Sequence, residues 1–168
     1  ALTILVNVSH RGGCGAEANT GDGAGILIQI PHKFFKSECA KIGIELPSPE
    51  EYGAGMVFLP QDPGKRKVLE DRLEKLIKEE GQTLLGWRTV PTDDSSLGDT
   101  AKACMPFIRQ VFIGRSSKQK DAAAFERKLY VIRKLAEKAA ADSKEYFYMS
   151  SLSSRTIVYK GMLTADQV

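Results

Sequence analysis

The residues of this sequence that are best suited to catalysis or ligand binding lie in a glycine-rich segment near its start. His10, Arg11 and Cys14 stand within five positions of one another, and glycines surround them. A guanidinium recognises carboxylates through paired N–H donors, and a cysteine thiolate is a nucleophile and a metal ligand. Residues 10–25 include six glycines. This density indicates backbone conformations or close approaches that side chains would prevent.

Three interpretations of this segment stay open from the residues alone. In the first, backbone N–H groups form a phosphate cradle. The dinucleotide fingerprint, however, follows a strand and opens a helix, whereas these glycines precede a predicted strand. In the second, the glycines only let two layers approach each other. In the third, the segment is a wall of a substrate site, where Arg11 offers a charged fork to a carboxylate and the loop offers backbone groups.

The cysteines and histidines predict neither a metal site nor a disulfide framework. Cys14, Cys39 and Cys104 are odd in number and widely spaced, and the only histidines are His10 and His32. A zinc site needs about four converging ligands, which usually come in closely spaced pairs. Reduced thiols and a cytoplasmic location are therefore expected.

Composition narrows the class of protein. The chain has 168 residues, of which 42% are hydrophobic and 27% charged, with a net charge of +3. These values are typical of a globular chain and exclude a disordered or low-complexity one. The mild positive charge predicts no nucleic-acid partner. The sequence also lacks the long apolar run of a membrane-spanning helix, so no membrane partner is expected.

The pattern of apolar residues and of turn residues predicts the secondary structure that positions the glycine-rich segment. Strands are predicted at residues 26–30 (buried), 55–59, 83–90, 107–113, 146–150 and 156–159. Helices are predicted at residues 33–42, 65–80 and 121–141, and a polar loop at residues 92–100. Asp62 is the predicted cap of the second helix, whose apolar stripe includes Val68 and Leu73.

The order of these elements predicts an α+β protein containing a split βαβ unit, with strands and helices in the order βαββαβ. We expect one partial domain over residues 1–168. Its parts are the glycine-rich wall and first strand (residues 1–50), the split βαβ unit (52–152) and a return strand (153–168).

Several motifs together carry a resemblance to a known family. They are HRGGCGAE (residues 10–17), NTGDGAGI (19–26), PHKFF (31–35), LGWRTVP (85–91) and SSLSSRTIVYKGML (150–163). Over essentially the whole chain, these motifs resemble the amidotransferase domain of glutamate synthases. The resemblance implies a class II, N-terminal-nucleophile fold, which is an αββα sandwich of two antiparallel sheets, here present in part.

The resemblance also implies a chemistry. In the family, an N-terminal cysteine attacks the side-chain amide of glutamine, and its own α-amino group acts as the base. Ammonia then passes to a region with FMN and an iron–sulfur cluster, where 2-oxoglutarate becomes glutamate. No cofactor is expected in this chain. The expected partners are glutamine and the remainder of a glutamate synthase polypeptide, in the cytoplasm or a plastid.

Two of the family's active-site residues carry over onto this sequence. Arg11 and Gly12 match residues that line the pocket of the nucleophile, and Arg11 is the expected substrate-binding residue. A structural loop is expected at Gly21, Asp22, Gly23 and Gly25. The family's nucleophile lies before the His-Arg-Gly motif, so Cys14 does not match it.

The isolated chain is accordingly expected to be an inactive fragment of the glutaminase domain. The alternative is a stand-alone ferredoxin-like module, built on the split βαβ unit, that binds a small molecule or regulates another protein.

Overall fold

The computed structural model describes residues 2–15, 17–119 and 121–168, so Ala16 of the predicted HRGGCGAE motif lies outside the described residues. The chain divides into two compact units. Unit 1 comprises Ala1–Ile28, Pro91–Met105 and Val158–Val168, and unit 2 comprises Gln29–Val90 and Pro106–Ile157. The glycine-rich segment belongs to unit 1, and most of the predicted split βαβ unit belongs to unit 2.

Helices and strands are mixed along the described chain. The helices are α1 (Leu2–Asn7), α2 (His32–Ala40), α3 (Pro63–Glu79), α4 (Asp99–Cys104) and α5 (Ala122–Asp142), with short 3-10 helices at Ser9–Arg11 and Ala165–Gln167. The strands are β1 (Ala24–Gln29), β2 (Tyr52–Leu59), β3 (Thr83–Thr89), β4 (Phe107–Gly114), β5 (Tyr148–Ser153) and β6 (Thr156–Gly161). The mixed α and β class predicted from the sequence is confirmed.

Unit 2 is built on a four-stranded sheet with the order β3-β4-β2-β5, in which all neighbours are antiparallel. Strand β2 therefore runs between β4 and β5, and α3 and α5 each connect one central strand to one outer strand. This is the arrangement of a split βαβ unit. Strands β1 and β6 form a separate two-stranded sheet.

The hydrophobic core of unit 2 lies between this sheet and the helices α3 and α5. Alternate residues of β2 and β4 point into it, including Val57 and Val111, which are fully buried. Leu73 of α3 and Phe125 of α5 pack into the same cluster. Apolar burial on one face of the sheet thus fixes the two helices against it.

Local signals define the ends of α3. The Asp62 side chain accepts a hydrogen bond of 2.8 Å from the backbone N–H of Lys65, as the sequence predicted for a cap. At the other end, Gly81 has a φ of +72°, and the N–H of Gln82 donates to Ile77 O. This is a Schellman ending, which requires the left-handed backbone that glycine adopts at low cost.

The opposite face of the sheet packs against α2. Phe35 meets Phe112 edge-on, with 5.3 Å between the ring centroids. Nearby, Arg88 donates to Gln110 Oε1 at 3.0 Å and lies 3.4 Å from a Glu38 oxygen. Since Arg88 is only 8% exposed, these partners compensate for the loss of its hydration.

Three local predictions from the sequence are wrong. The predicted buried strand at residues 26–30 is β1, and its alternate residues are exposed, Leu27 by 63%. The predicted loop at residues 92–100 ends in α4, which begins at Asp99. The last helix ends in a turn in which Glu145 N–H donates to Ala140 O. This turn delays the next strand, which begins at Tyr148 and not at residue 146.

The helix α3 allows a direct test of which face carries the core. Val68 was predicted to share the apolar stripe with Leu73, but Val68 is 56% exposed and Leu73 only 1%. We expect Leu73→Ala to lower the free energy of unfolding by about 2–5 kcal/mol, because it leaves a cavity. Val68→Ala, the matched control, is expected to change it by less than about 0.5 kcal/mol. Chemical denaturation measures both, and equal losses would contradict the described packing.

The three cysteines are expected to differ in reactivity. Cys39 is fully buried, whereas Cys14 and Cys104 are exposed. Burial raises the pKa of the Cys39 thiol to about 11, so it stays protonated at pH 8, and the thiolate is the reactive form. Iodoacetamide followed by mass spectrometry should label two thiols in the folded protein and three in denaturant. Fast native labelling of Cys39 would contradict this burial.

Candidate functional site

A cavity of about 840 Å³ lies within unit 1. Its walls come from α1, from the glycine-rich segment that follows α1, and from the last residues of the chain. The described lining residues are Leu5, Val6, Val8, Ser9, Arg11, Gly12, Gly13, Cys14, Ala18, Asn19, Gly23, Ala24, Ser96, Leu163, Thr164, Ala165, Asp166 and Gln167. A cavity of this volume is in the range of small-molecule sites.

Arg11 and Gly12 both line this cavity. They lie at the end of a short 3-10 turn in which the N–H of Arg11 donates to Val8 O at 2.9 Å and that of Gly12 to Ser9 O at 3.0 Å. The turn satisfies the backbone locally. The Arg11 side chain is exposed, which leaves its guanidinium accessible to a ligand.

A narrow loop follows, in which two short backbone segments pair. Cys14 and Gly21 form an isolated antiparallel bridge. The N–H of Gly15 donates to Thr20 O at 2.8 Å, and that of Asp22 donates to Gly13 O at 3.0 Å. The pairing holds Gly13 and Cys14 in the cavity wall directly after Arg11 and Gly12.

Two glycines of the predicted structural loop lie where backbone passes close to backbone. A Cβ at Gly21 would overlap Leu163 O and would lie 2.5 Å from the N atom of Thr164. A Cβ at Gly25 would lie 2.6 Å from Tyr159 O. Only a residue without a side chain permits these approaches. The approach at Gly21 brings residues 163 and 164 beside the loop, and the approach at Gly25 brings residues 159 and 160 there.

The other two residues of the predicted loop differ in position. Gly23 lines the cavity and has a φ of +134°, a conformation that favours glycine. Asp22 is exposed, and its carboxylate fills the space that a Cβ at Gly13 would occupy. Neither Asp22 nor Gly21 nor Gly25 is among the lining residues.

Sequence reasoning missed several polar residues of the wall. Asn19, Ser96, Asp166 and Gln167 all line the cavity. The spacing of Thr164 and Gln167 is that of a capping box, which the structure contains and which was an available signal. Nothing local in the sequence associates Ser96 with the cavity, because it arrives there from a distant part of the chain.

Among its described lining residues, the cavity has a cation, Arg11, and an anion, Asp166, beside neutral hydrogen-bonding groups. A hydrogen bond from the Thr164 hydroxyl lowers the pKa of the Asp166 carboxyl below its ordinary value, so that group is charged at neutral pH. Such a lining suits a small molecule that carries both charges.

The described residues form neither a group of metal ligands nor a membrane-spanning helix. Within residues 2–15, 17–119 and 121–168, no three side chains of His, Cys, Asp or Glu come together as the ligands of a metal ion would. Over the same described ranges, no helix is long and apolar enough to cross a lipid bilayer.

Comparison with known proteins relates the whole chain to one family. The family model for class-II glutamine amidotransferases matches residues 1–168. The chain is 53% identical over 167 residues to a Bacillus subtilis protein named glutamate synthase (NADPH) large chain, covering 99% of this chain and 11% of the relative.

Two further relatives show the same pattern. A rice (Oryza sativa subsp. japonica) protein named chloroplastic ferredoxin-dependent glutamate synthase is 44% identical, covering 99% of this chain and 10% of its own length. A Schizosaccharomyces pombe protein named glutamate synthase (NADH) is 36% identical, covering 100% of this chain and 8% of its own length. The chain thus spans about a tenth of the length of these relatives.

The close approach at Gly21 predicts a sharp difference between two glycines of one loop. Gly21→Ala forces backbone to move apart, so we expect unit 1 to lose about 1–3 kcal/mol of stability. At Gly15 the nearest atom to an added Cβ is 3.7 Å away, so Gly15→Ala is the matched control. Hydrogen exchange at the Asp22 amide should accelerate only in Gly21→Ala. Equal exchange in the two variants would refute the described approach.

Proposed function

The chain belongs to the class-II glutamine amidotransferase family, and we propose that it forms part of the domain that releases ammonia from glutamine in a glutamate synthase. The cavity of unit 1 is then one wall of the glutamine site. The observation that carries the proposal is that Arg11 and Gly12 line this cavity together, in a chain that the family model matches from end to end.

Arg11 is proposed to bind the glutamine substrate. Glutamine carries an α-carboxylate and an α-ammonium group, and the cavity offers the guanidinium of Arg11 and the carboxylate of Asp166. A guanidinium binds a carboxylate through two parallel N–H donors, which fixes orientation as well as position. The Arg11 side chain is exposed rather than buried in an ion pair, which supports a role in ligand binding.

Gly12 is proposed to leave room beside the reacting amide. A Cβ at this position would lie 3.3 Å from Ser9 O, so glycine keeps the turn tight where Arg11 enters the wall. In the family, the α-amino group of an N-terminal cysteine accepts the proton of that cysteine's thiol, and the resulting thiolate attacks the amide carbon. The proton then leaves with the ammonia. In this proposal, residues 11–14 shape the pocket around that nucleophile and none of them performs the attack.

The same proposal covers the fold of the chain and the location of the cofactors. We propose that the chain is part of an αββα sandwich of the N-terminal-nucleophile amidotransferase type, in which the split βαβ unit is embedded. The FMN and the iron–sulfur cluster are proposed to lie elsewhere in the synthase polypeptide; for the cluster, the proposal is supported by the lack of a group of metal-ligating side chains among the described residues. There, 2-oxoglutarate and ammonia would form glutamate.

The names of the relatives bear on where the electron donor of a glutamate synthase is recognised. They specify three electron donors, namely NADPH, ferredoxin and NADH, although all three proteins share the segment matched here. Recognition of the donor is therefore proposed to lie outside this chain. The proposed location is the cytoplasm or a plastid, and the rice relative is named chloroplastic.

The alternative function, a stand-alone ferredoxin-like module, rests on the strand order of unit 2 alone. A fold of this kind hosts many unrelated functions. The family match covers the glycine-rich motifs as well as the βαββαβ segment, which favours the amidotransferase proposal.

The role of Arg11 is testable in the full-length synthase that contains this chain. Because Arg11→Ala removes a charged hydrogen-bond donor, we expect the glutamine KM to rise roughly ten- to a hundred-fold. The KM for 2-oxoglutarate should stay unchanged, since that substrate reacts elsewhere. Steady-state kinetics with each substrate varied in turn measure both values.

Arg127→Ala is the matched control for this experiment. Arg127 is an arginine of α5 whose side chain is 70% exposed, and it lies 3.6 Å from Asp121. Its removal should leave the glutamine KM unchanged. An unaltered glutamine KM in Arg11→Ala as well would sink the proposed site.

A further inference from the structure

Glu17 lies at the tip of the loop in unit 1, and its carboxylate accepts several hydrogen bonds. The Thr20 hydroxyl donates to it at 2.6 Å. From a point 83 positions later in the sequence, the Thr100 backbone N–H donates at 3.2 Å and the Thr100 hydroxyl at 3.0 Å. The Thr20 hydrogen bond above all lowers the pKa of Glu17, so its carboxylate is charged at neutral pH.

This carboxylate replaces the missing cap of α4. The residue before the helix is Gly98, which has no side chain to accept a hydrogen bond from the first turn. A Cβ at Gly98 would overlap both Glu17 Oε2 and the Thr20 hydroxyl. Glycine at this position therefore leaves room for the Glu17 carboxylate. This carboxylate accepts the hydrogen bond of the Thr100 N–H, as the side chain of an N-cap residue ordinarily would.

The same loop is held at a second point. Gln167 donates from Nε2 to Asn19 O at 3.1 Å and to Ser96 O at 2.9 Å. Its Oε1 accepts from the Thr164 N–H at 2.8 Å. One amide side chain thus connects the loop, the segment before α4 and the last residues of the chain, and all three contribute to the cavity wall.

The backbone pairing of the loop links its tip to the substrate wall. Glu17 is half-buried and is not among the cavity-lining residues. The next residues, Ala18 and Asn19, do line the cavity, and so do Gly13 and Cys14 at the base of the loop. A displacement of the tip would therefore move parts of the wall on both sides of the loop.

We propose that Glu17 is a positioning residue for glutamine binding, which acts by fixing the glycine-rich loop to the first turn of α4. The inference rests on the proposed function. Glu17 touches no substrate itself. Its carboxylate sets the position of the loop, and the loop sets the shape of the wall that follows Arg11.

Two substitutions break this contact from opposite sides, and both are made in the full-length synthase. Glu17→Ala removes the carboxylate, and Gly98→Ala displaces it without changing Glu17. We expect each to raise the glutamine KM roughly tenfold, because a small misplacement of a binding wall is costly. The KM for 2-oxoglutarate should not change. Since both variants break one contact, the double variant should show no larger rise than either single one.

Two matched controls accompany the variants. Glu79→Ala removes an exposed carboxylate of α3 that lies 3.7 Å from Lys75. Gly15→Ala adds a methyl group in the same loop with no atom closer than 3.7 Å. Neither should alter the glutamine KM. Glu17→Gln retains one acceptor oxygen, so an intermediate KM is expected from a milder change that preserves folding.

A merely structural role for Glu17 predicts a different result. The variants would then lower the melting temperature and affect the kinetics of both substrates alike, which would overturn the inference. Full additivity in the double variant would also overturn it.

Arg11→Ala distinguishes a failure of this inference from a failure of the proposed function. If Arg11→Ala raises the glutamine KM and the Glu17 and Gly98 variants do not, only this inference fails. If Arg11→Ala leaves the glutamine KM unchanged, the proposed function fails, and the inference that rests on it fails too.

Discussion

The site in unit 1 depends on one close approach, that of Gly21 to the backbone of Leu163 and Thr164. An added Cβ would overlap Leu163 O there, so the approach exists only because residue 21 has no side chain. It brings the last residues of the chain beside the loop that follows Arg11. Both then form parts of one cavity wall. Glycine contributes to this site because it has no side chain, so two backbone segments can lie in direct contact. Their spacing then does not depend on a side-chain rotamer.

Unit 2 is stabilised by different means. Its apolar cluster lies between the antiparallel sheet and α3 and α5, and its helices begin and end at local signals such as Asp62 and Gly81. These features are explained by burial and capping alone. The buried pair of Arg88 and Gln110 shows that polar groups enter this interior only with partners.

Unit 1 depends less on apolar burial and more on polar contacts. Helix α1 has no buried residue, and Leu27 of β1 is largely exposed. Its order relies on hydrogen bonds between segments far apart in sequence, above all those of Glu17 with Thr100 and of Gln167 with Ser96. Each such bond contributes modestly, so the wall of the cavity is held by several polar contacts rather than by one core.

The sequence by itself determined the elements whose signals are local. The apolar periods and end signals located α3, α5 and most strands, whereas Arg11 and Gly12 were expected at a site because the motifs around them resemble those of a known family. Only the tertiary structure decided which face of β1 is exposed, that a helix begins at Asp99, and that Ser96, Thr100 and Gln167 surround the loop. The physical reason is range. Periodicity and caps act over a few residues, whereas the partner of Glu17 is 83 positions away, and no pattern in either segment specifies that meeting.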